Sequence, residues 1–478
     1  MFNSYRQPSD AELTLNTFYQ NTGASLLVAG FFAFSASPVF ANDKADKNAF
    51  QHPFPNLSAE LKFNHSLGRS LFEKFWVASP SSTTASDGLG PLYNARSCHS
   101  CHLNNAKGHA PDHLQSAAFV PSFFVRLKRW PRPVDFDPKK AVTGDATYGT
   151  QLQTLSTTEL QPEANLMVEY QYSTLNFADG TAIELRKPSY KVTKLGYGDF
   201  NSDTLLSGRV SPALTGVGLI DALDATSILS REDINDENND GISGRANHVW
   251  DKINQSWQVG RFGWKATVAT LSEQNQSAFN GDLGLSTPLL TSAYGDCTNN
   301  QTACLNLANG NSEHLDNLEV SNKVMSLVNQ FSALSAPSRI RNLANTQFMQ
   351  GKAVFDQLNC VGCHTPKMTT GLENEYNVLS NITFYPFSDF LLHDMGEGLA
   401  DNGNEFDAKG NEWRTAPLWG NALNKTTSGR ESYLHDGRAR NLFEAIAWHG
   451  GEAKQSQSGF LQLDKKQRSD LIYFLESL

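Results

Sequence analysis

The chain has 478 residues, of which 39 % are hydrophobic and 18 % charged, and its mean hydropathy is -0.41. This composition excludes a multi-span membrane protein, a collagen-like fibre and a disordered polymer, and the length is ample for two or three domains. The 39 basic and 49 acidic residues give a net charge of -10, which argues against a nucleic-acid-binding surface.

The N-terminus carries an apolar stretch, from Ala24 to Phe34, with the length of a signal-peptide core. It leads to Val39-Phe40-Ala41, which puts small residues at the two positions that matter for cleavage. We predict a signal peptide over residues 1–41, export to the periplasm, and no stable membrane span after cleavage. The alternative is an uncleaved anchor, since residues 24–41 nearly reach the length of a bilayer span, but two serines and a proline interrupt them.

Two C-x-x-C-H sequences, Cys98–His102 and Cys360–His364, use four of the six cysteines. The pattern is typical of c-type haem attachment, because two thiols one helical turn apart bind the vinyl groups and the histidine supplies a proximal imidazole. A thioredoxin-like pair does not need the histidine twice, and a zinc ribbon does not separate its C-x-x-C pairs by 262 residues. We predict two covalent haems (heme c): haem 1 on Cys98, Cys101 and His102, and haem 2 on Cys360, Cys363 and His364.

A similar stretch precedes each motif, SLGRSLF at residues 66–72 and MQGKAVF at residues 349–355. The second stretch runs into its motif with the pattern of an amphipathic helix, and residues 461–478 have the same kind of pattern. A haem domain needs such a helix to cover the edge of the macrocycle. We therefore predict a mainly α fold with an N-terminal cytochrome c-type haem module at 42–115, an insert at 116–335 and a C-terminal cytochrome c-type haem module at 336–478.

The insert is predicted to be partly β. Residues 168–192 alternate polar and apolar side chains around Asp179-Gly180, which is the pattern of a β-hairpin, and Phe123–Leu127 and Tyr190–Leu195 also have strand patterns. Cys297 and Cys304 lie in the polar sequence CTNNQTAC, and in an oxidising compartment this pair predicts a disulfide. The alternative is two free thiols, which an exported protein seldom keeps.

A candidate calcium loop, DENNDGI, occupies residues 236–242. The side-chain oxygens of Asp236, Asn238 and Asp240 and the carbonyl of Ile242 can converge on one Ca²⁺ ion. The match ends at the twelfth position, where Asn247 replaces the usual glutamate. The alternative is an Asx-rich surface turn.

Several segments resemble bacterial di-haem cytochrome c peroxidases. The stretch from Tyr433 to Ile446 resembles their Y-F-H-D-G…L-x-E-A-V segment, and residues 387–396 resemble F-x-D-x-x-F-H-N-x-G. Residues 240–245, 260–265 and 448–453 resemble hallmarks of the di-haem oxidoreductase branch of that superfamily, which is sometimes labelled thiol oxidoreductase. The resemblance runs from about Leu71 to the C-terminus and implies two c-type haems with peroxidase-like redox chemistry.

The resemblance also implies a sixth ligand for haem 2. In those peroxidases a methionine fourteen residues after the H-D-G histidine ligates the C-terminal haem, and His449 stands at this offset from His435. We predict that His364 and His449 are the axial ligands of haem 2 and that His435 donates a hydrogen bond nearby. Met395 is the rival ligand, and a helix-end His449 bonded to backbone is the alternative interpretation.

Haem 1 has no clear ligand opposite His102. His109 and His113 follow closely, but seven or eleven residues leave little chain to turn around the macrocycle, which favours loop histidines that face solvent. An open ferric haem can bind peroxide, and a distal acid or base can then help to break the O–O bond. The sequence does not indicate which residue is this acid or base.

These observations predict a periplasmic, haem-dependent oxidoreductase of peroxidase type. One haem transfers electrons and the other reacts with peroxide or another small oxidant. In a second form of this hypothesis, the enzyme oxidises a protein side chain instead. The partners are a redox protein or a small electron donor, together with the oxidant, and no nucleic acid. The alternative is a non-enzymatic di-haem electron-transfer protein in which both irons have six ligands, so the ligation of haem 1 separates the two hypotheses.

Overall fold

The computed structural model describes residues 45–83 and 85–478. The predicted signal peptide at 1–41 lies outside the described residues. Across these residues, no helix is both long enough and apolar enough to cross a bilayer.

The helices of the described residues are short, and the longest has 15 residues. They are α1 Ala59–Glu73, α2 Cys98–Cys101, α3 Val217–Asp221, α4 Ala225–Leu229, α5 Leu271–Leu283, α6 Thr302–Leu305, α7 Asn322–Leu334, α8 Thr346–Gln357, α9 Leu423–Ser428, α10 Leu442–Ala447, α11 Lys454–Gln462 and α12 Lys465–Ser477.

The strands of the described residues pair two by two. They are β1 Val77–Ala78, β2 Asp87–Leu89, β3 Leu92–Tyr93, β4 Phe123–Arg129, β5 Leu155–Ser156, β6 Asn165–Asn176, β7 Ala182–Thr193, β8 Thr204–Val210, β9 His248–Asp251, β10 Ser256–Val259, β11 Met368–Thr369, β12 Thr383–Phe384, β13 Leu392–Asp394 and β14 Glu412–Arg414. Strands β1 and β2 are parallel, whereas β3–β5, β4–β8, β6–β7, β9–β10, β11–β12 and β13–β14 are antiparallel pairs.

The fold is mixed α and β, so the prediction of a mainly α fold is wrong. Helices account for only 28 % of the described residues. The C-terminal region was expected to be helical, but between α8 and α9 it contains β11 to β14 joined by loops. Glycine, proline and asparagine recur along this stretch, and they interrupt helices and favour turns.

The predicted hairpin is confirmed as the longest strand pair. Strands β6 and β7 pair antiparallel from Asn165 opposite Thr193 to Asn176 opposite Ala182, and the turn contains Asp179-Gly180. Gly180 has a φ of 82°, which is a conformation that glycine adopts without a steric penalty. The predicted strand at Phe123–Leu127 is confirmed within β4, which pairs with β8.

Two helix pairs pack in the same way at the two ends of the fold. Helix α1 crosses α7 at Gly68, where a Cβ atom would lie 2.0 Å from the carbonyl oxygen of Leu327. Helix α8 crosses α12 at Gly351, where a Cβ atom would lie 2.0 Å from the carbonyl oxygen of Asp470. In both pairs the absence of a side chain lets the two backbones approach closely. Because α7 lies inside the predicted insert, the α1–α7 pair joins two predicted segments, and the domain boundaries stay a prediction.

The predicted helix at 461–478 is two helices. Helix α11 ends at Gln462, and Asp464 caps α12 by accepting a hydrogen bond from the backbone N–H of Gln467 at 2.8 Å. The Gln467 side chain accepts in return from the N–H of Asp464 at 3.1 Å. This capping box starts a new helix and therefore breaks the continuous pattern.

Candidate functional site

The first C-x-x-C-H motif forms helix α2 and the residue after it. Ser97 caps the helix by accepting a hydrogen bond from the N–H of Ser100 at 3.1 Å. The N–H of His102 then bonds the carbonyl of Cys98 at 3.0 Å, which places the imidazole beside both thiols. The imidazole Nδ1 lies 2.9 Å from the carbonyl oxygen of Pro212, so Nδ1 is the donor and Nε2 is left with its lone pair.

The second motif has the same construction. The N–H of His364 bonds the carbonyl of Cys360 at 2.9 Å, and its Nδ1 donates to the carbonyl oxygen of Phe387 at 2.9 Å. All four motif cysteines are free thiols. A backbone carbonyl on one imidazole nitrogen is the usual way in which a protein fixes a histidine for metal binding through the other nitrogen.

In each helix pair, the ring of a phenylalanine also lies close to the ring of the proximal histidine. The ring of Phe72 on α1 lies 6.3 Å from that of His102 and 5.2 Å from that of Phe331 on α7. In the second pair, Phe355 on α8 lies 6.4 Å from His364 and 5.2 Å from Phe474 on α12. These matching distances show that each helix pair supports one attachment motif in one geometry.

Burial gives both sites the protonation states that a haem requires. It lowers the pKa of His102 and of His364 to about 4, so both imidazoles are neutral at pH 7. It raises the pKa of the Cys98 and Cys360 thiols to about 12, which makes them poor thiolate nucleophiles. This state does not suit a dithiol redox pair.

The two sites differ in what faces the histidine. Near His364 lies His449, whose Nδ1 donates to the carbonyl of Ala445 at 2.7 Å and whose pKa is lowered by burial. After burial, the charges of His449 and His393 are further influences that lower the pKa of His364. Within the described chain, the ionisable neighbour that lowers the pKa of His102 is His99, which belongs to the same motif.

The other candidate histidines for haem 1 are engaged elsewhere. His109 Nδ1 lies 3.0 Å from the carbonyl oxygen of Ala110. His113 is exposed, and its Nδ1 accepts a hydrogen bond from the N–H of Tyr170 at 3.1 Å. Neither residue alters the pKa of His102.

His435 is buried against Trp413. The two rings are stacked with centroids 3.6 Å apart and an interplanar angle of 6°. The His435 Nε2 atom lies 3.6 Å from a carboxylate oxygen of Asp436, and burial lowers the pKa of His435 well below its ordinary value. Arg209 and Lys265 approach the same tryptophan, at 4.5 and 4.1 Å from the ring centroid. Sequence reasoning did not predict this stack, because its residues come from distant segments.

A second buried histidine, His393, stands between two carboxylates. Its Nε2 lies 2.9 Å from Asp389 and its Nδ1 lies 2.7 Å from Glu452. Burial opposes the charged form, but Cys363, Asp389 and Glu452 together raise the pKa of His393 well above its ordinary value. A thioether on Cys363 no longer ionises and so removes the largest of these raising influences, which leaves the hydrogen bonds to Asp389 and Glu452. We call this group the His393 clamp.

The His393 clamp connects the attachment site of haem 2 to two other segments. Cys363 Sγ lies 3.5 Å from His393 Nδ1, and Glu452 follows the predicted ligand His449 by three residues. Glu452 also accepts hydrogen bonds from the N–H and hydroxyl of Ser243, at 3.0 and 3.1 Å. Sequence reasoning found the segments at 387–396 and 448–453 but not the contact between them.

The predicted calcium loop lies beside the second motif. Its carboxylates make turns within the loop, since Asp236 accepts from the N–H of Asp240 at 2.9 Å and Asp240 accepts from the N–H of Ile242 at 2.9 Å. The Ile242 side chain contacts Gly362, the third residue of the second motif. Over residues 45–83 and 85–478, no group of three or more histidine, cysteine or acidic residues is arranged to hold a metal ion.

The predicted pair Cys297 and Cys304 is joined by a disulfide, with Cα atoms 6.4 Å apart. It closes a loop before and within α6. The loop is fixed to the rest of the insert, because Thr298 donates from its hydroxyl to the carbonyl of Thr147 at 2.8 Å.

The residues present fit a haem at each motif. Each site offers two free thiols and a neutral imidazole whose Nε2 has no hydrogen-bond partner, which is the donor set of a c-type haem. Near haem 2, the indole Nε1 of Trp448, adjacent to His449, is buried and has no hydrogen-bond partner in the described chain. An unpartnered buried donor of this kind suits an acceptor that the polypeptide itself does not supply.

Comparisons with known proteins agree with this site. Residues 34–122 and 150–478 match the family described as "Di-haem oxidoreductase, putative peroxidase". A comparison with curated proteins finds no match. Among solved structures, hydrazine synthase of Kuenenia stuttgartiensis pressurized with 20 bar xenon is similar at 17 % identity, over 34 % of this chain and 57 % of that chain. Its TM-score of 0.22 is too low to carry an argument. The family match spans both attachment motifs and most of the chain, which therefore belongs to the di-haem oxidoreductase family and has haem as its cofactor.

Proposed function

We propose that this protein is an exported, periplasmic di-haem oxidoreductase of peroxidase type that binds both haems covalently. The centre at His364 and His449 transfers electrons, and the centre at His102 binds peroxide or another small oxidant. The observation that carries the proposal is a contrast between two matching proximal sites: among the described residues, a histidine from a distant segment, His449, acts on the pKa of His364, whereas the histidine that acts on His102 belongs to its own motif.

At the second site, His364 and His449 would hold the haem iron through their imidazoles. The Nδ1 atoms of both donate to backbone carbonyls, so each ring presents Nε2 and is held in a fixed orientation. A bound haem supplies one-electron chemistry, and two strong imidazole ligands restrict it to that role. Methionine ligation raises the reduction potential of a haem. A haem ligated by His364 and His449 therefore has a lower potential than one ligated by His364 and Met395.

At the first site, His102 is the histidine among the described residues that would hold the iron. His109 and His113 use their Nδ1 atoms in local contacts. An axial position left open by the protein is what an oxidant needs to reach the iron. The partners are therefore a redox protein or small electron donor and a small oxidant.

We also propose a Ca²⁺ ion in the loop at 236–242. The support is the presence of Asp236, Asn238 and Asp240 on one exposed turn, which lies against the second attachment motif through Ile242. A cation there would stabilise the turn that contacts haem 2.

The experiment that tests the ligand assignment compares variants of His449 and Met395 in the haem-loaded protein. Replacement of His449 by Ala removes an imidazole, so one low-spin haem becomes high-spin or water-ligated, whereas Met395→Ala changes neither spectrum. His449→Met keeps the haem low-spin and raises its potential. If Met395→Ala opens haem 2 and His449→Ala leaves its spectrum intact, the assignment is wrong.

Activity separates an enzyme from an electron carrier. The haem-loaded protein, reduced by one electron per chain, is mixed with hydrogen peroxide, and consumption of peroxide is measured together with cyanide binding to haem 1. Peroxide turnover and cyanide binding support the enzyme. No turnover, together with two protein-derived axial ligands on haem 1, supports a non-enzymatic di-haem electron-transfer protein instead.

A further inference from the structure

Lys107 is a half-buried lysine whose ammonium has no anionic partner among the described residues. It follows His102 by five residues, on the loop that leaves the first attachment motif. Across residues 45–83 and 85–478, no acceptor lies within hydrogen-bond or ion-pair distance of its Nζ atom; its one hydrogen bond is from the backbone N–H to Asn424 at 3.3 Å. Burial lowers the pKa of Lys107 to about 7, because the surrounding groups stabilise the charged ammonium less well than water does.

Two aromatic rings surround the ammonium. The Nζ atom lies 5.0 Å from the ring centroid of Trp264 and 5.4 Å from that of Tyr433. Such cation–π contacts return only part of the solvation that a buried charge loses. Trp264 is itself fixed, because its Nε1 donates to the carbonyl of Val210 at 2.8 Å.

The nearest carboxylate, Asp436, is already neutralised. Both of its oxygens accept hydrogen bonds from the guanidinium of Arg438, at 2.7 to 3.1 Å. Its charge acts on Lys107 only from a distance, as a minor influence that raises the pKa. Among the other titratable groups that Asp436 influences, burial lowers the pKa of His435 well below its ordinary value and raises the pKa of Tyr170 and of Tyr190, so none of the three is an anion at pH 7.

The backbone on either side holds Lys107 in this place. The N–H of Gly108 bonds the carbonyl of Ser211 at 2.9 Å, and the N–H of His109 bonds the hydroxyl of Ser122 at 3.2 Å. A Cβ atom on Gly108 would lie 2.5 Å from the Ser211 hydroxyl, so the loop fits closely. These contacts fix the course of the backbone from which the Lys107 side chain extends.

We propose that Lys107 binds a propionate carboxylate of haem 1. This inference rests on the proposed function, in that it needs a haem at Cys98, Cys101 and His102. The propionates are the anionic substituents of haem, and a carboxylate beside an ammonium in a low-dielectric site forms a strong charge-assisted hydrogen bond. Lys107 lies five residues after His102, so a haem held by His102 is the nearest source of such a carboxylate along the chain.

The test is the reduction potential of haem 1 in the haem-loaded protein. A positive charge next to a propionate favours the reduced haem, because reduction removes one positive charge from the iron. We expect Lys107→Met to lower the potential of haem 1 and Lys107→Arg to retain it. The methionine keeps the apolar stem between the two rings; if its yield is low, Lys107→Gln takes its place.

A matched control is available on the surface. Lys139 also lies over a tryptophan ring, with Nζ 4.1 Å from the centroid of Trp250, but the residue is exposed. We expect Lys139→Met to leave both potentials unchanged. An unchanged haem 1 potential in Lys107→Met, or a shift confined to the haem held by His364, overturns the proposal.

Haem content distinguishes a failure of the proposed function from a failure of the Lys107 proposal. Each variant is assayed by pyridine haemochrome before potentiometry. If the unsubstituted protein holds no covalent haem at the first motif, the proposed function fails and Lys107 fails with it. If both the unsubstituted protein and Lys107→Met hold two haems per chain, and haem 1 has the same potential in each, the Lys107 proposal alone is overturned.

Discussion

Around His102 and around His364 the chain repeats four features: a crossing glycine, a phenylalanine four residues later, a C-x-x-C-H turn and a backbone carbonyl on Nδ1. On the opposite side of each histidine the repetition ends. His449, which follows α10 and stands 85 residues after His364, acts on the pKa of His364, whereas among the described residues the histidine that acts on His102 is His99 of the same motif. The proximal half is thus a repeated unit, and the distal half gives each site its own chemistry.

The largest expected effect is the loss of a whole haem from either site. Replacement of Cys98 and Cys101 by alanine removes both thioether sulfurs, so one haem per chain remains by pyridine haemochrome assay, and that haem is low-spin. The matched double variant at Cys360 and Cys363 also keeps one haem, which is high-spin. Two haems in either double variant would remove that motif from the comparison.

The second effect tests a feature that only the second site has. His393→Gln leaves the carboxylates of Asp389 and Glu452 buried without an imidazolium, and we expect it to lower the free energy of unfolding by about 3–5 kcal/mol in a denaturant titration. The control is His248→Gln, because His248 pairs with Asp407 at the surface with side chains 54 % and 50 % exposed, and a surface pair contributes about 0–1 kcal/mol.

The pH dependence of that loss has a definite sign. The pKa of His393 is raised in the folded protein, so its stabilisation is complete below the unfolded pKa of about 6.5 and is lost as the pH rises through the folded value. The difference between His393→Gln and the unsubstituted protein should therefore shrink in alkaline solution. A difference that grows with pH would contradict the charged state of His393.

The third effect tests whether the two helix crossings are equivalent. In Gly68→Ala and Gly351→Ala the new methyl group meets a backbone oxygen, and we expect each to cost about 1–3 kcal/mol of unfolding free energy by thermal or chemical denaturation. Gly281→Ala in α5 is the control, since its Cβ meets no atom within 4 Å, and alanine favours a helix by up to about 1 kcal/mol. A loss at one crossing alone would show that the proximal units are not equivalent.

The smallest effect concerns the loop that touches only the second motif. A Ca²⁺ concentration ten times the Kd stabilises the folded protein by about 1.4 kcal/mol, so Ca²⁺ should raise the Tm. Asp236→Asn with Asp240→Asn should abolish that rise, and Asp135→Asn with Asp137→Asn, both at exposed positions, should keep it. A rise retained in the first double variant would mean that the loop is only an Asx turn.

The sequence predicts what is local along the chain. The C-x-x-C-H spacing, the hairpin turn at Asp179-Gly180 and the helix that leads to Cys360 each depend on neighbouring residues, and the structure contains the hairpin and the helix as predicted. The mainly α fold was wrong because periodicity identifies helices but does not measure how much irregular chain lies between them.

Contacts between distant segments lie beyond such reasoning. The His393 clamp joins residues 59 positions apart, and the aromatic rings around Lys107 come from positions 264 and 433. Only the folded chain shows that Lys107 has no anion beside it, because a lysine in a polar loop otherwise suggests a solvated charge.

The measurement that tests the central contrast most directly is electron paramagnetic resonance of the fully oxidised, haem-loaded protein. Two matching proximal histidines with one opposing histidine predict one low-spin ferric signal from haem 2 and one high-spin ferric signal from haem 1, in equal amounts. Two low-spin signals of equal amount would contradict the account, because they would show that a protein ligand also occupies the face opposite His102.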